Sequence, residues 1–159
     1  MLAEIEAIKK YLQQSVLCWL ATSSPDYIPN VSPKEIFTLY QDKYLLIANI
    51  ASPQTVRNLE QNPNVCVSFI DVFVQKGYQL KGTATVIPTS NPEFQLLEPF
   101  LLELTKGLFP FQSIIKIKIN TSKKILAPRY LLYPDTTEAE QIKRAQDTYN
   151  KGLPPFTKG

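Results

Sequence analysis

Ser52, Gln54, Thr55, Arg57 and Asn58 fall within two helical turns, directly after a short apolar run, Tyr44 to Ala48. They are hydroxyls, carboxamides and one guanidinium, so the cluster is rich in donors and carries a permanent positive charge. Such groups bind anions. Ser52 is a good helix N-cap and Pro53 suits the first helical position, which predicts a helix over 53–61. Asn62-Pro63 ends it, because the residue before a proline is pushed out of helical geometry. A helix start presents unpaired N–H groups and the positive end of the helix dipole. Arg57 can add two parallel hydrogen bonds to a phosphate. The reading is a grip for a phosphate-bearing cofactor. The plainer alternative is an ordinary capped helix with a solvated arginine, and residue types alone leave both open.

A second group precedes it. The extended segment 27–39 is broken by Pro29 and Pro33, so it belongs at a sheet edge or a bulge. Within it Asn30, Ser32 and Lys34 project to one side, because strand side chains alternate. They line a polar face beside the expected anion site, or simply make a wet edge strand. Lys81 stands one residue before Gly82, whose place inside a strand predicts a bulge or a close backbone approach. A solvated lysine is the plainer reading there.

What is missing constrains the chemistry as much. The chain has no histidine, which removes the commonest general base and metal ligand. No metal site is expected. Cys18 and Cys66 sit in apolar runs and read as buried free thiols. Its 159 residues, 44% apolar and 19% charged, predict one globular domain over 1–159. A net charge of +3 without a basic tail does not imply nucleic acid. No signal peptide or membrane-length apolar run stands out, so a cytoplasmic protein is expected.

The elements that must position these groups follow in order. An amphipathic helix is predicted over 2–14 and a strand buried on nearly both faces over 16–22. The segment 27–39 should pair with the strand 44–48 as a hairpin. Strands are predicted over 65–70, with 72–74 continuing it, and over 78–87 after a turn at 75–77. A broad apolar helix capped by Thr89 or Ser90 should kink or split at Pro99, its width suggesting burial against a second subunit. A half-exposed strand over 113–120, an irregular 125–134, and a last helix capped by Thr136 or Thr137 complete the list. The tail 152–159 reads as mobile. The fold class is mainly β with flanking helices: five or six mostly antiparallel strands forming a small closed or partly split barrel.

Three blocks carry a resemblance. Asn30-Val31-Ser32-Pro33-Lys34, Arg57-Asn58-Leu59 with Asn62-Pro63, and Gly77-Tyr78-Gln79-Leu80-Lys81-Gly82-Thr83-Ala84 resemble, in order and spacing, the pyridoxamine 5'-phosphate oxidase-like family over about 2–124. The resemblance implies the FMN-binding split-barrel fold, a homodimer with flavin at its interface, and 125–159 as a C-terminal extension. It implies FMN as cofactor, with its phosphate at Ser52, Gln54, Thr55, Arg57 and Asn58. Asn30, Ser32, Pro33 and Lys34 then border the flavin and ribityl chain, and Lys81 is a second cationic contact. The expected activity is an oxidoreductase passing hydride through flavin N5, from a nicotinamide donor or to another small molecule. Lys34 is the first choice to stabilise charge near flavin N1 and the C2 carbonyl. The alternatives are a non-catalytic flavin carrier or redox sensor, or a barrel that has lost its cofactor. Gln54 stands where many relatives are basic. The missing histidine and unmatched C-terminal portion argue against pyridoxamine 5'-phosphate oxidase activity itself, and against haem.

Overall fold

Apolar side chains at alternate positions turn inward to build one antiparallel sheet of seven strands. The computed structural model describes residues 4–151. Helix α1 is Ile5–Gln14; strands β1 (Cys18–Ser23), β2 (Pro29–Lys34), β3 (Phe37–Tyr40) and β4 (Tyr44–Asn49) follow. Helix α2 (Pro53–Gln61) separates them from β5 (Asn64–Asp71) and β6 (Lys76–Pro88). Then come α3 (Pro92–Thr105), β7 (Ser113–Leu126), α4 (Pro128–Leu132) and α5 (Glu138–Asn150).

The strand order is β2-β1-β5-β6-β7-β4-β3. The sheet curls until strands distant in that order share one core: Leu20 of β1, Leu45 and Ile47 of β4, Val67 of β5 and Leu80 of β6. Ile8 and Leu12 of α1 cover it. A second core lies on the other face, where Phe94, Leu97 and Leu101 of α3 pack on Leu46, Ile87 and Ile114. The two edges, β2 and β3, are joined through Glu35 and Ile36, and no ladder pairs them.

The mainly antiparallel sheet with flanking helices agrees with expectation, but its details differ. Among the described residues there are seven strands, because the segment 27–39 divides into β2 and β3 at opposite edges. The strand expected over 16–22 begins at Cys18, and only alternate residues are buried; Trp19 is 49% exposed. Residues 72–74 form the turn expected at 75–77, with Gln75 left-handed (φ 56°). Asp71 makes the turn local: its carboxylate accepts from the Phe73 and Val74 N–H groups (2.9 and 3.0 Å). β7 runs through the polar stretch 121–124, because β6 offers a partner for all of it. Residues 128–132 form the short α4 instead of irregular chain.

Helix α3 is continuous through Pro99 and is capped by Asn91, whose Oδ1 accepts from the Glu93 N–H (2.9 Å). Pro99 lies on the exposed side beside exposed Gln95, so the carbonyl it deprives of a donor can turn to water. As expected, α3 is apolar beyond its home face: Leu96 and Leu104 are exposed while Leu97 and Leu101 are buried. Cys18 is buried, but Cys66 is only partly so, because it falls on the outward row of β5. The last helix has the anticipated Thr137 cap, closed into a capping box with Glu140. Leu2 and the tail 152–159 lie outside the described residues.

Gly82 sits at the register shift between β6 and β7. A Cβ there would stand 2.1 Å from the Lys118 carbonyl oxygen, whereas one on Gly107 (φ +74°) meets nothing within 4 Å. Gly82→Ala should therefore lose about 3 kcal/mol or more in urea unfolding. Gly107→Ala should cost only left-handed strain, about 1 kcal/mol. Equal losses would show that the close strand approach is not what requires glycine.

Candidate anion-binding site

Alternation along β2 sets the site. Asn30, Ser32 and Lys34 share one side, as expected; the first two are half-buried and Lys34 is only 6% exposed. Val31 and Pro33 turn outward. The register places Lys34 beside Cys18, Ser32 beside Leu20 and Asn30 beside Thr22. Helix α2 lies along this polar row. Ser32 Oγ and Thr55 Oγ1 share a hydrogen bond (3.2 Å), and Lys34 Nζ donates to Ser52 Oγ.

This last contact corrects the expected role of Ser52. It occupies the N-cap position, but its side chain caps nothing in α2; it accepts from Lys34 instead. By helix geometry the Gln54 and Thr55 N–H groups have no intrahelical acceptor. They are therefore available to an anion in front of α2, close to the Lys34 ammonium.

Lys34 is the unusual member. Burial holds its pKa below the ordinary 10.5, with Cys18 a lesser opposing influence. Among the described residues no carboxylate lies within salt-bridge distance of it. Its neighbour Cys18 cannot serve as counter-ion, because burial pushes that thiol up to about 12. A buried charge without a partner costs several kcal/mol. The fold retains it beside a helix start, where an anion would recover that cost twice over, by charge and by hydrogen bonding.

Arg57 and Gln54 are exposed and belong to a chain of side chains. Arg57 Nη2 donates to Gln54 Oε1 (2.8 Å), Gln54 Nε2 to Asn58 Oδ1 (2.9 Å), and Asn58 Nδ2 to Thr22 Oγ1 (3.0 Å). Asn58 and Thr22 are buried. Asn58 thus ties α2 to β1, while Arg57 is drawn back toward the first turn of the helix. Thr55, 1% exposed, fastens the same helix to β2. Sequence reading missed Thr22. The signal was present: Cys18, Leu20 and Thr22 form an inward series whose last member is polar and needs a partner.

Lys81 is not brought to this corner within one chain. It shares an outward row with Cys66, Ala21 and Val31, one residue out of phase with Ser32. Pro33 also faces outward, paired with Trp19. Among the described residues no group of three or more acidic, histidine or cysteine side chains could hold a metal. No helix among them is long and apolar enough to cross a membrane.

The family model described as pyridoxamine 5'-phosphate oxidase matches residues 5–125. Among solved structures, Group A Streptococcus HupZ superposes with TM-score 0.66 at 21% identity, over 77% of this chain and 94% of that one. An FMN-binding protein from Syntrophomonas wolfei gives 0.65 at 14%, over 77% and 86%. A pyridoxamine 5'-phosphate oxidase-related, FMN-binding protein from Nostoc punctiforme gives 0.62 at 12%, over 78% and 84%. No curated protein matches the chain.

Lys34→Met should stabilise the ligand-free protein at neutral pH by about 1 kcal/mol, because a buried cation is removed. The sign with pH follows from the lowered pKa. Between the folded value and the unfolded one near 10.5, the unfolded chain binds more protons, so wild-type stability rises with pH. The advantage of Lys34→Met should therefore shrink as pH climbs through that window. Unfolding midpoints that move in parallel for both proteins would contradict the assignment.

Proposed function

From a chain that belongs to the pyridoxamine 5'-phosphate oxidase family, we propose an FMN-binding flavoprotein with oxidoreductase activity, working as a homodimer. One observation carries the reading: the buried Lys34 ammonium, without a carboxylate, directed at the start of α2. A phosphate there satisfies the ammonium and the Gln54 and Thr55 N–H groups together. We assign Lys34 to the phosphate end for this reason, with Ser52, Ser32 and Thr55 as neutral donors around it. Arg57, folded toward the first turn by Gln54, adds charge where Gln54 itself has none. Asn58 acts through position, holding α2 on β1.

Bound FMN would supply hydride acceptance at its N5. The chain's own task is then to bind and orient, and it needs no histidine for that. The homodimer is supported by the outward face of β1 and β2, where Trp19 and Val31 are exposed, and by exposed Tyr27 and Ile28 in the turn that precedes β2. Lys81 shares that face, so in a dimer it can reach a ligand at the interface that it cannot reach within its own chain.

A second reading, a flavin-binding module without turnover, is favoured by the make-up of the corner. It holds groups that grip an anion, while its one thiol stays protonated up to about 12. Oxidation of NADH or NADPH by the loaded protein separates the two.

Titration with FMN, followed by flavin fluorescence, should give saturable binding, and Lys34→Met should weaken it at least about tenfold. Affinity should also fall with rising pH earlier than an ordinary lysine would dictate, because the free ammonium is already reluctant to hold its proton. A wild-type protein that takes up no flavin would end the proposal.

A further inference from the structure

Lys34 and Ser52 are also a base and a nucleophile in direct contact. The Lys34 amine meets the Ser52 hydroxyl, which is free for it because Ser52 gives α2 no side-chain cap. A serine hydroxyl is a weak nucleophile until a neighbouring base takes its proton. Lysine is such a base only when neutral, a state that burial favours and a carboxylate partner would oppose. Lys34 is 6% exposed, and burial holds its pKa below the ordinary 10.5. Among the described residues no carboxylate lies within salt-bridge distance of it. Cys18, opposite Lys34 in the β1–β2 ladder, keeps its proton up to about 12. The charged side chains of α2 are Arg57 and Glu60, both exposed, and Arg57 is bonded to Gln54.

The two groups differ in access, as such a pair requires. Lys34 is enclosed, whereas Ser52 is half-buried between exposed Ala51 and exposed Pro53. A substrate can therefore meet the hydroxyl without entering the core. The Gln54 and Thr55 N–H groups, without intrahelical acceptors, follow it at the positive end of the helix. Donors of this kind stabilise the oxyanion of a tetrahedral intermediate. Exposed Ile50 and Ala51 precede Ser52 and give an acyl chain little to pack against, so the substrate is small.

We infer that Ser52 and Lys34 form a serine–lysine dyad that hydrolyses short-chain carboxylic esters by acyl transfer. Ser52 Oγ attacks the ester carbonyl carbon, and its proton passes to the neutral Lys34 Nζ. The Gln54 and Thr55 N–H groups hold the oxyanion. The intermediate collapses by breaking the bond to the leaving oxygen, which takes the proton from Lys34. Water then attacks the acylated serine, giving a proton to Lys34, and Lys34 returns it to Ser52 Oγ as the acid departs. Nothing is oxidised or reduced. An anion at the start of α2 would hold Lys34 as the ammonium, so the dyad works when that position is empty.

The test uses the full chain, free of flavin and in phosphate-free buffer. It is treated with a fluorophosphonate probe and mapped by peptide mass spectrometry, and assayed separately with p-nitrophenyl acetate. The probe should modify Ser52, and the ester should give a burst of nitrophenolate as the acyl-enzyme forms. Ser52→Ala should lower hydrolysis about a hundredfold or more. Lys34→Met should do the same and prevent labelling of Ser52. So should Lys34→Arg, which keeps a charged donor but cannot accept a proton. An unmodified Ser52 in the wild-type chain would overturn the inference. So would Ser52→Ala hydrolysing the ester like wild type, or either Lys34 variant labelling at the wild-type rate. The dyad and the flavin reading fail separately: a chain that takes up FMN but never labels overturns the dyad alone, and one that labels without taking up FMN overturns the flavin reading alone.

Discussion

A single buried ammonium organises the half of this molecule that holds the candidate site. Lys34 stands where β2 turns under the start of α2, enclosed to 6% exposure and bonded to a serine hydroxyl. Lysine tolerates burial only against an opposite charge or by giving up its proton. Neither the neighbouring thiol nor, among the described residues, any carboxylate supplies that charge. The cost is met by the rest of the sheet, and it is sustained because α2 is pinned around it. Asn58 bonds Thr22 on β1, and Thr55 bonds Ser32 on β2. The helix start cannot drift away from the cation.

The curl of the sheet makes that placement possible. β2 and β1 form one edge pair, and β4, which leads into α2, lies near the other edge. Only when the sheet bends until both ends share the core does the helix after β4 come to rest on β1 and β2. The bulge at Gly82 lies in the central β6–β7 pair, where the two backbones approach too closely for any side chain. The outward row of the same sheet is left with apolar side chains and Lys81, a division of labour dictated by strand alternation. One face holds a charge in the dry interior of the chain; the other turns its side chains outward.

The candidate site was legible in part because its signals are local. Serine-proline before a helix, donors within two turns, and polar residues at alternate strand positions are one-dimensional patterns with a physical cause. The helix limits 53–61 and the shared side of Asn30, Ser32 and Lys34 agree with the fold for that reason. Ser52 defeated local reasoning. Its type suits a cap, but the cap is forfeited to a lysine distant in sequence, whose approach no local pattern announces. The break of 27–39 into two strands at opposite edges was equally hidden, since prolines signal an interruption but not its direction. Pro99 broke no helix because its cost falls on a solvated face, and exposure is a property of packing.

From the residues alone came the class of the fold, the absence of histidine chemistry, the donor-rich helix start and the family resemblance. Composition, period and spacing determine the first three without reference to distant contacts, and three short sequence blocks carry the resemblance. Tertiary structure alone decided that Lys34 is buried and lacks a carboxylate, that Asn58 braces and does not face outward, and that Lys81 lies on the opposite side of the sheet. The reason is the same in each case: burial, pairing and the cost of an unmet charge depend on which distant segments meet, and a linear pattern carries no record of that meeting.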